Sequence, residues 1–582
     1  MSVEQRSQAG CSVGRMQTDL HHGLLNSRRG RTVWRGYNRG VQLRGRALGL
    51  VVATLLGGLL PATSVLAQPV CSGPALSIGH ITIERLEVFD TNGTDVVGRL
   101  GRTVNTLHVG TREHVVRREL LFREGEPCRD EALAQTERTL RALGIFQKVD
   151  VIPALTAAGR VDVRVRVRDA WSLRLSGRYQ RMGGVPIWDL GLSDTNIGGE
   201  GFAIGIRRRN GFDADIITAW LDDRRLAGSH ERLSLRFDER SDGRAEAVSL
   251  SRPFYALDTR RAHEIGYAET RDVLRVYQDG EITDSFGRRT IDAVLGLAAR
   301  VAMPTPERAW RAGVGYRFVA SEHAAGDDQT EAIPDAPPTH RWVGPYASLQ
   351  FIEHRFVKRT GLVVPQRDVD LNLGTQVDLG MFVSQRVAAL RTTSRVILGA
   401  GLSWGWTLPG EGILVSRAGL AAHAGGGEAS QADLTGLVRG WWQRSATHVL
   451  TAMGEVRASI NPEPGYGVYL GGSPGLRAFR EYAFQGTRSA LVAIEDRKYA
   501  SWTPAGLAQF GGAVFLEAGA VGGEGVTTGR ARILADAGIG LRIAMLRSSA
   551  NSAIRIDVAY PLTPAPDGRR RPQLVVGYRS DF

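Results

Sequence analysis

The 582-residue sequence predicts a transmembrane antiparallel β-barrel preceded by one small α/β domain. Helical periodicity is confined to residues 78–169, whereas apolar and polar residues alternate along most of the chain from Trp171 onward. Alternation is the period of a strand that buries one face. The chain begins with a secretory signal, and no later apolar run reaches the roughly 20 residues of a transmembrane helix. We therefore expect the mature chain to cross a membrane as strands.

Residues 1–67 have the pattern of a signal peptide with an extended leader. The stretch from Ala47 to Leu60 is small and apolar, two arginines precede it, and cleavage is expected after Ala67. Residues 68–77 would then form a linker to the first domain. The leader holds nine arginines and two acids, so cleavage lowers the net charge from +13 to +6. With this small remaining charge, we expect no nucleic-acid partner.

Two of the three cysteines, Cys71 and Cys128, follow the cleavage site. In an oxidising compartment they could form a disulfide, and they could equally remain free thiols, because pairing depends on geometry. Their spacing does not match a zinc site, the histidines are scattered, and neither a P-loop nor a dinucleotide fingerprint occurs. We expect neither a metal nor another cofactor.

Residues 78–169 have the pattern of one α/β unit. The predicted elements are a strand at about 81–88, helices at 111–122 and 130–144, and strands at 146–151 and 161–168. Thr111 is the expected cap of the first helix, and Gly144 ends the second. Valines alternate with charged residues in the last strand, which indicates one buried face and one wet face.

Residues 170–582 have the pattern of the barrel. Strict alternation occurs from Arg232 to Phe237 and recurs near 200–209, 213–222, 288–299, 309–319, 341–352, 394–405 and 432–442. Turn residues separate these runs, and segments of about ten alternating residues are typical of transmembrane barrels. A soluble β-protein would give the same alternation. The signal peptide and the C-terminal strand favour the membrane.

The glycine-rich stretch GGSPGLRAFREYAF at 471–484 places an arginine among bulky apolar residues. It resembles the signature loop of the bacterial surface antigen, or BamA/TamA-like, superfamily of outer-membrane barrels. In that family a Val/Leu-Arg-Gly-Phe/Tyr tetrad folds into the barrel lumen. The tetrad here is Leu476-Arg477-Ala478-Phe479, with alanine for the usual glycine. The alternative is that Arg477 is exposed to solvent in an external loop.

The resemblance also implies a partner for Arg477. The family carries an acid on the inner wall in a Phe-x-Asp/Glu-x-Gly motif, which Phe515 to Gly519 matches. We predict Glu517 as the partner and Asp536, on the following strand, as a second candidate. An unpaired charge in a poorly hydrated lumen is costly, and a guanidinium fits a carboxylate through two hydrogen bonds. Such a pair would lock the loop and would not catalyse.

The element order of residues 78–169 resembles the polypeptide-transport-associated (POTRA) domain of the same superfamily. Its patterns "RREL.F.EG" and "LR.LG.F..V" correspond to 117–125 and 140–149. The resemblance implies a single periplasmic POTRA domain that receives unfolded polypeptide by strand addition to a sheet edge. An unrelated periplasmic α/β domain is the alternative.

Further resemblances concern the wall of the barrel. Residues 188–201 are similar to an early hairpin of the family, and five strands follow the signature loop, as the family arrangement requires. More candidates precede the loop than the eleven of a sixteen-stranded barrel, and we predict about sixteen strands, with about 26 residues for each strand and its connection. Residues 321–340 predict an acidic external loop.

The last strand carries an apolar face. Period two places Leu574, Val576, Tyr578 and the terminal Phe582 on one side. This pattern resembles the C-terminal sorting signal by which outer-membrane barrels are recognised. The alternative is an ordinary edge strand.

The resemblance implies an outer-membrane protein, with its POTRA domain in the periplasm, that assembles other membrane proteins or translocates polypeptides. Its expected partners are membrane lipid, unfolded clients and accessory assembly proteins. A passive pore or structural surface barrel is the alternative. Residues 471–475 also match the G-x-S-x-G pattern of serine hydrolases, but proline follows the serine where a helix should begin. We therefore predict no enzyme.

Overall fold

The described residues of the computed structural model begin at Cys71. They are 71, 76–89, 105–106, 108–182, 185–211, 214–278, 281–325, 339–425, 428–462, 467–472, 475–480, 482–523, 532–548, 553–566 and 568–579. The predicted signal peptide lies outside these residues, as do Phe582 and most of the predicted acidic loop. Among the described residues, no helix combines the length and apolarity needed to cross a membrane.

An α/β domain begins the described chain. Its elements are β1 Ser77–Leu86, α1 Glu113–Arg117, α2 Asp130–Ala142, β2 Phe146–Leu155 and β3 Arg160–Asp169. The sheet order is β1-β3-β2, with β1 parallel and β2 antiparallel to β3. The alternating valines of β3 are buried against Leu133 and Leu140, which lie seven residues apart on one face of α2.

The first helix is shorter than predicted. It ends at Arg117 and has no side-chain cap, so the predicted span of 111–122 is wrong. The Thr111 hydroxyl instead accepts a hydrogen bond from Asn196 Nδ2 in the barrel at 2.8 Å, and the Thr111 amide donates to Asp169. Thr111 therefore joins the domain to the barrel. The second helix is confirmed, and Gly144 follows it with a φ of 69°.

The two cysteines whose pairing the sequence left open are bonded. The structure places a disulfide between Cys71 and Cys128, with their Cα atoms 5.5 Å apart. The bridge ties the segment before β1 to the residues that precede α2.

Among the described residues, twenty strands close the barrel, and four further strands lie inside its connections. The wall strands are β4 Leu173–Met182, β5 Val185–Asp194, β6 Ala203–Asn210, β7 Asp215–Asp223, β8 Arg232–Arg240, β9 Gly243–Arg252, β10 Arg261–Gln278, β11 Glu281–Thr305, β12 Arg308–Ala325, β13 His340–Glu353, β16 Gln376–Ser384, β17 Arg395–Leu408, β18 Gly412–Gly425, β19 Glu428–Ser445, β20 His448–Ile460, β23 Arg488–Tyr499, β24 Ala508–Gly522, β25 Arg532–Met545, β26 Ala553–Pro561 and β27 Gln573–Arg579. The connections hold β14 Phe356–Thr360 paired with β15 Asp368–Asn372, and β21 Val468–Leu470 paired with β22 Phe484–Gly486.

The predicted count of about sixteen strands is wrong. The five strands after the signature loop are confirmed, but fifteen wall strands precede it where eleven were predicted. The prediction allowed too many residues for each strand. Six wall strands fit between Leu173 and Arg252 because several are joined by tight turns, such as the one at 241–242. The surplus alternating runs are therefore strands of the wall.

The outer face of the wall is apolar. Leu190, Leu192, Leu295, Leu297, Val314, Tyr316, Ile539 and Leu541 are all exposed large apolar residues. In each of these four pairs the intervening residue is a glycine, and it points to the lumen because successive side chains of a strand alternate between faces. The wall therefore exposes its bulky apolar side chains outside and small or polar groups inside.

The α/β domain docks against one end of the barrel, here called the near end. The buried Glu119 side chain binds Arg225, in the β7–β8 turn, through both carboxylate oxygens. Arg547, in the β25–β26 turn, donates to Gln147 Oε1 at 3.0 Å. The end of β12, the start of β13, the end of β20 and the start of β23 lie at the opposite, far end.

The β5–β6 turn fits closely against the domain. This turn lies within the stretch whose sequence is similar to an early barrel hairpin. Gly199 has a φ of 76°, its carbonyl accepts from the Arg112 amide, and a Cβ there would lie 2.3 Å from the Gly110 carbonyl oxygen. Gly198 has a φ of 59°, and nothing lies within 4 Å of a Cβ built on it. Of these two glycines, Gly199 is the one at which a side chain would clash with the docked domain.

We predict that Gly199→Ala loosens this contact and that Gly198→Ala is the matched control. Both substitutions place alanine at positive φ, which costs about 1 kcal/mol, but only the first adds a clash with the domain. Hydrogen exchange of residues 110–118 should accelerate in Gly199→Ala and change little in Gly198→Ala. Equal exchange in the two variants would contradict this interpretation.

Candidate functional site in the barrel lumen

The connection between β20 and β23 folds back into the lumen. Leu476 is fully buried and Phe479 is 1% exposed, and both pack among Leu491, Phe515 and Leu534 of the wall. The β21–β22 pair forms the neck of this lumen loop. The described part of the loop therefore lies against the inner faces of the strands that follow it.

Backbone geometry explains part of the glycine content. Gly475 has a φ of 132°, and a Cβ there would lie 2.3 Å from the Leu491 side chain. Leu476 has a φ of 70°, whereas Ala478 is not among the residues with positive φ. The left-handed position of the tetrad is therefore its first residue, and alanine fits at the third.

Arg477 is 5% exposed and contacts three carboxylates. Its Nε lies 3.0 Å from Glu517 Oε1, its Nη2 lies 3.1 Å from Glu495 Oε2, and its Nη1 lies 2.9 Å from Asp557 Oδ2. The Arg477 amide also donates to Glu517 Oε2 at 2.8 Å. The guanidinium carbon lies 4.0 Å from the centre of the Phe515 ring, which places it over the aromatic face.

A second arginine extends this cluster. Arg542 of β25 donates to Glu495 Oε2 at 2.9 Å and also binds Asp557. Both acids thus bridge Arg477 and Arg542, and all four side chains are buried. Buried charges of one sign need partners of the other sign, and shared bidentate contacts provide them. We call Arg477, Glu495, Glu517, Arg542 and Asp557 the lumen charge cluster.

Asp536 holds the loop by its backbone. It lies opposite Glu517 in the β24–β25 register, is fully buried, and accepts a hydrogen bond from the Ala478 amide at 3.0 Å. Together, Glu517 and Asp536 accept from two successive amides of the tetrad. The structure thus brings both predicted wall residues to the loop, and Glu517 is the one that lies beside the guanidinium.

Sequence reasoning missed Glu495, Asp557 and Arg542. A signal was present in β23, where Leu491, Ala493, Glu495, Arg497 and Tyr499 alternate and are all buried. Charged residues at alternate positions of an apolar face indicate a partner inside the barrel. The partner's identity depends on how neighbouring strands align, which a single sequence does not specify.

The lumen is also occupied from the near end. Residues 354–375, here called the lumen hairpin, contain β14 and β15 and lie between β13 and β16 without joining the wall. Leu362 and Leu373 of this hairpin pack on Ile413, Trp441 and Val449, which are inner-face residues of β18, β19 and β20. A barrel of this size would otherwise enclose a wide channel.

The other predicted residues lie elsewhere. Leu574 is exposed on the outer face of β27 and Val576 shares that face, whereas the Tyr578 side chain and Phe582 are outside the described part. Ser473 is also outside it, and the described residues after Gly475 form a turn and then β22. Within the described ranges, no three His, Cys, Asp or Glu side chains are grouped so that they could hold a metal ion.

We predict that Arg477→Ala destabilises the barrel by about 3–5 kcal/mol, because it leaves the buried Glu517 carboxylate without its cation. Glu517→Ala should cost less, because Arg477 keeps Glu495 and Asp557. The double variant should be no worse than Arg477→Ala alone, since it removes both members of the same contact. Denaturant unfolding in detergent micelles measures these differences. Arg480→Ala, an exposed arginine of the same loop, is the control and should stay within about 0.5 kcal/mol of the parent. Additive losses in the double variant would disprove the pairing.

The solved structures to which this chain is similar include three of similar length. CdiB from Escherichia coli is 12% identical, with a TM-score of 0.42 over 90% of this chain and 93% of that one. CdiB from Acinetobacter baumannii is 11% identical, with a TM-score of 0.40 over 93% and 97%. BamA from Haemophilus ducreyi lacking POTRA domains 1-3 is 12% identical, with a TM-score of 0.35 over 86% and 85%. No protein-family model and no curated protein matches the chain. TM-scores below 0.5 carry no argument, so the architecture rests on the strand pairing of this chain itself.

Proposed function

We propose that this chain is an outer-membrane barrel that assembles other membrane proteins or translocates polypeptides. In this proposal the α/β domain is a POTRA domain in the periplasm, and it delivers unfolded clients to the barrel. The observation that carries the proposal is the weak pairing where the barrel closes on itself.

The seam between β27 and β4 is the least paired junction of the described wall. Among the described residues, two residue pairs join it, Val575 with Gln180 and Val576 with Tyr179. Each other junction of neighbouring wall strands has at least seven pairs. Opening a junction of two pairs exposes the unpaired backbone of both edge strands. Such edges can pair with a strand of another chain, which is the chemistry that insertion of a client barrel requires.

The outer face of the wall supports the membrane location. Its exposed apolar side chains would be covered by lipid, and away from the seam the backbone groups of neighbouring wall strands pair with one another, as a membrane span requires. Trp404 and Trp406 lie on this face close to the near end, where an aromatic girdle is expected at the membrane interface. The apolar face of β27 with Leu574 and Val576 supports recognition as an outer-membrane client in its own right.

The sheet of the α/β domain offers an edge for clients. Among the described residues, β2 pairs on one side only, with β3, and its Ile152 and Leu155 are 41% and 61% exposed. Pro153 interrupts this edge, which limits uncontrolled pairing. We propose that extended clients bind beside β2 and that accessory assembly proteins bind other faces of the domain.

The filled lumen gives less support to the passive-pore alternative. The lumen loop enters from the far end and the lumen hairpin enters from the near end. Both elements therefore occupy the lumen that a passive pore would keep open. We further propose that the barrel is not an enzyme and uses no cofactor.

We predict that locking the seam abolishes activity. A disulfide between Tyr179→Cys and Val576→Cys would join β4 to β27, since these residues are opposite each other. In vesicles that contain this variant, an unfolded outer-membrane barrel should insert no faster than in protein-free vesicles. The matched control, Tyr179→Cys with Trp188→Cys, joins β4 to β5 and should insert clients at the parent rate.

Reduction of the seam disulfide should restore insertion, with the reduced parent protein as reference because it also loses its Cys71–Cys128 bridge. Unimpaired insertion by the oxidised seam variant would contradict a role for seam opening.

A further inference from the structure

We propose that the lumen hairpin is a plug that closes the near end of the barrel and that α2 of the α/β domain holds it closed. Displacement of the domain by a client would release the plug. The release of the plug by a client rests on the proposed function, whereas the closure of the near end by the plug does not.

The plug is separable from the wall. β14 pairs with β15 alone, while β13 and β16 pair directly over seven positions, from Tyr346 with Phe382 to Ile352 with Gln376. The Glu353 amide donates to the Thr375 carbonyl at 2.9 Å, so the two ends of the hairpin meet. The hairpin can therefore move, or be removed, without breaking the wall.

The plug crosses the lumen. It leaves the wall at β13, and its Leu373 packs on β17 at Gly405, where a Cβ would lie 2.6 Å from the leucine side chain. At its tip, Val364 packs with Tyr499 of β23 and with Ala544 and Ala553 of the β25–β26 hairpin. Arg367 donates to the Ser548 carbonyl at 2.9 Å. The hairpin thus reaches from β13 to β26.

α2 fastens the opposite face of the plug. Arg141 donates to both Asp370 oxygens, at 2.7 and 2.8 Å, and these side chains are 12% and 14% exposed. Lys358 Nζ lies 3.1 Å from Glu137 Oε1, one turn before Arg141 on α2. The Arg138 guanidinium lies 4.5 Å from the centre of the Phe356 ring. Three side chains of one helix therefore hold both strands of the plug.

The charges of this contact are matched. Burial lowers the pKa of Lys358, but Glu137 and Asp368 outweigh burial and hold that pKa above its ordinary value. Lys358 is therefore charged at neutral pH, and Glu137 and Asp368 lie within ion-pair distance of it. A client that displaces α2 removes Glu137 and Arg141 together, which leaves Lys358 and Asp370 without these partners.

The plug is linked to the lumen charge cluster through Arg497. Arg497 donates to the Leu362 carbonyl at 3.1 Å, and its Nε lies 3.6 Å from Glu495 Oε1. Glu495 in turn binds Arg477 of the lumen loop. Arg497 and Glu495, on the inner face of β23, therefore connect the two elements that fill the lumen.

The first test is ion conductance of the purified full-length protein in planar lipid bilayers, which needs no client. Replacing residues 356–372 with a short Gly-Ser linker should raise the mean conductance severalfold, because the wall stays closed while the lumen loses its plug. The matched control is Arg359→Ala, since Arg359 pairs with the exposed Glu411 at the β17–β18 turn and not with α2. Unchanged conductance after the deletion would overturn the proposal.

The second test addresses the contact by which α2 holds the plug closed. Asp370→Asn removes one charge from the Arg141 contact and should raise the open probability about tenfold, which corresponds to about 1.4 kcal/mol. Asp258→Asn is the control, because Asp258 faces Arg129 in an exposed pair between the same domain and the β9–β10 turn. An equal effect of the two substitutions would contradict a specific latch.

A disulfide between the plug and the wall tests the plug independently of any client. Leu373→Cys with Gly405→Cys places two cysteines where the hairpin touches β17, and oxidation should hold the plug closed in the Asp370→Asn background. Conductance that stays high in the oxidised protein would overturn the plug. If oxidation closes the channel but neither the parent protein nor any variant inserts or translocates a client, the plug proposal is supported and the proposed function is contradicted.

Discussion

The positive charge of Arg477 is the constraint on which the organisation of the lumen depends. A guanidinium buried in a barrel is stable only when acids surround it. Four consecutive strands, β23 to β26, each present one acid on the inner face beside the loop: Glu495, Glu517, Asp536 and Asp557. A shift of one residue in any of these strands would turn its acid toward the outer face. The register of the wall and the position of the loop are therefore fixed by the same set of charges.

The lumen is filled from both ends by elements of the same chain. A wall of twenty strands encloses more space than its own side chains occupy. The lumen loop fills the far part and the lumen hairpin fills the near part, and Arg497 lies between them. The α/β domain adds a third layer, because α2 binds the hairpin and α1 binds the β5–β6 turn. A chain that enters the barrel must therefore first move one of these elements, which makes the position of the domain a natural point of control.

Local patterns in the sequence predicted the fold class, the second helix and the five last strands, and the family resemblance implied the contact of Glu517 with the loop. Each of these depends on period, spacing or a short motif that lies within one segment. The strand count, Glu495, Asp557 and the lumen hairpin depend on which distant segments become neighbours. Residues 368–372 alternate like a wall strand, and closure of β13 onto β16 excludes them from the wall. The first helix begins later than predicted because Thr111 binds Asn196 of the barrel, 85 residues away, and does not cap the helix.

The measurement that tests the central claim most directly is a comparison of the outer-membrane proteome before and after depletion of this protein. We predict that depletion lowers the amount of other barrels, or of a few secreted or surface proteins, while their synthesis is unchanged. Restoring the parent protein should reverse the loss. An outer-membrane proteome that does not change on depletion would contradict a role in assembly or translocation and would favour a structural or pore-forming barrel.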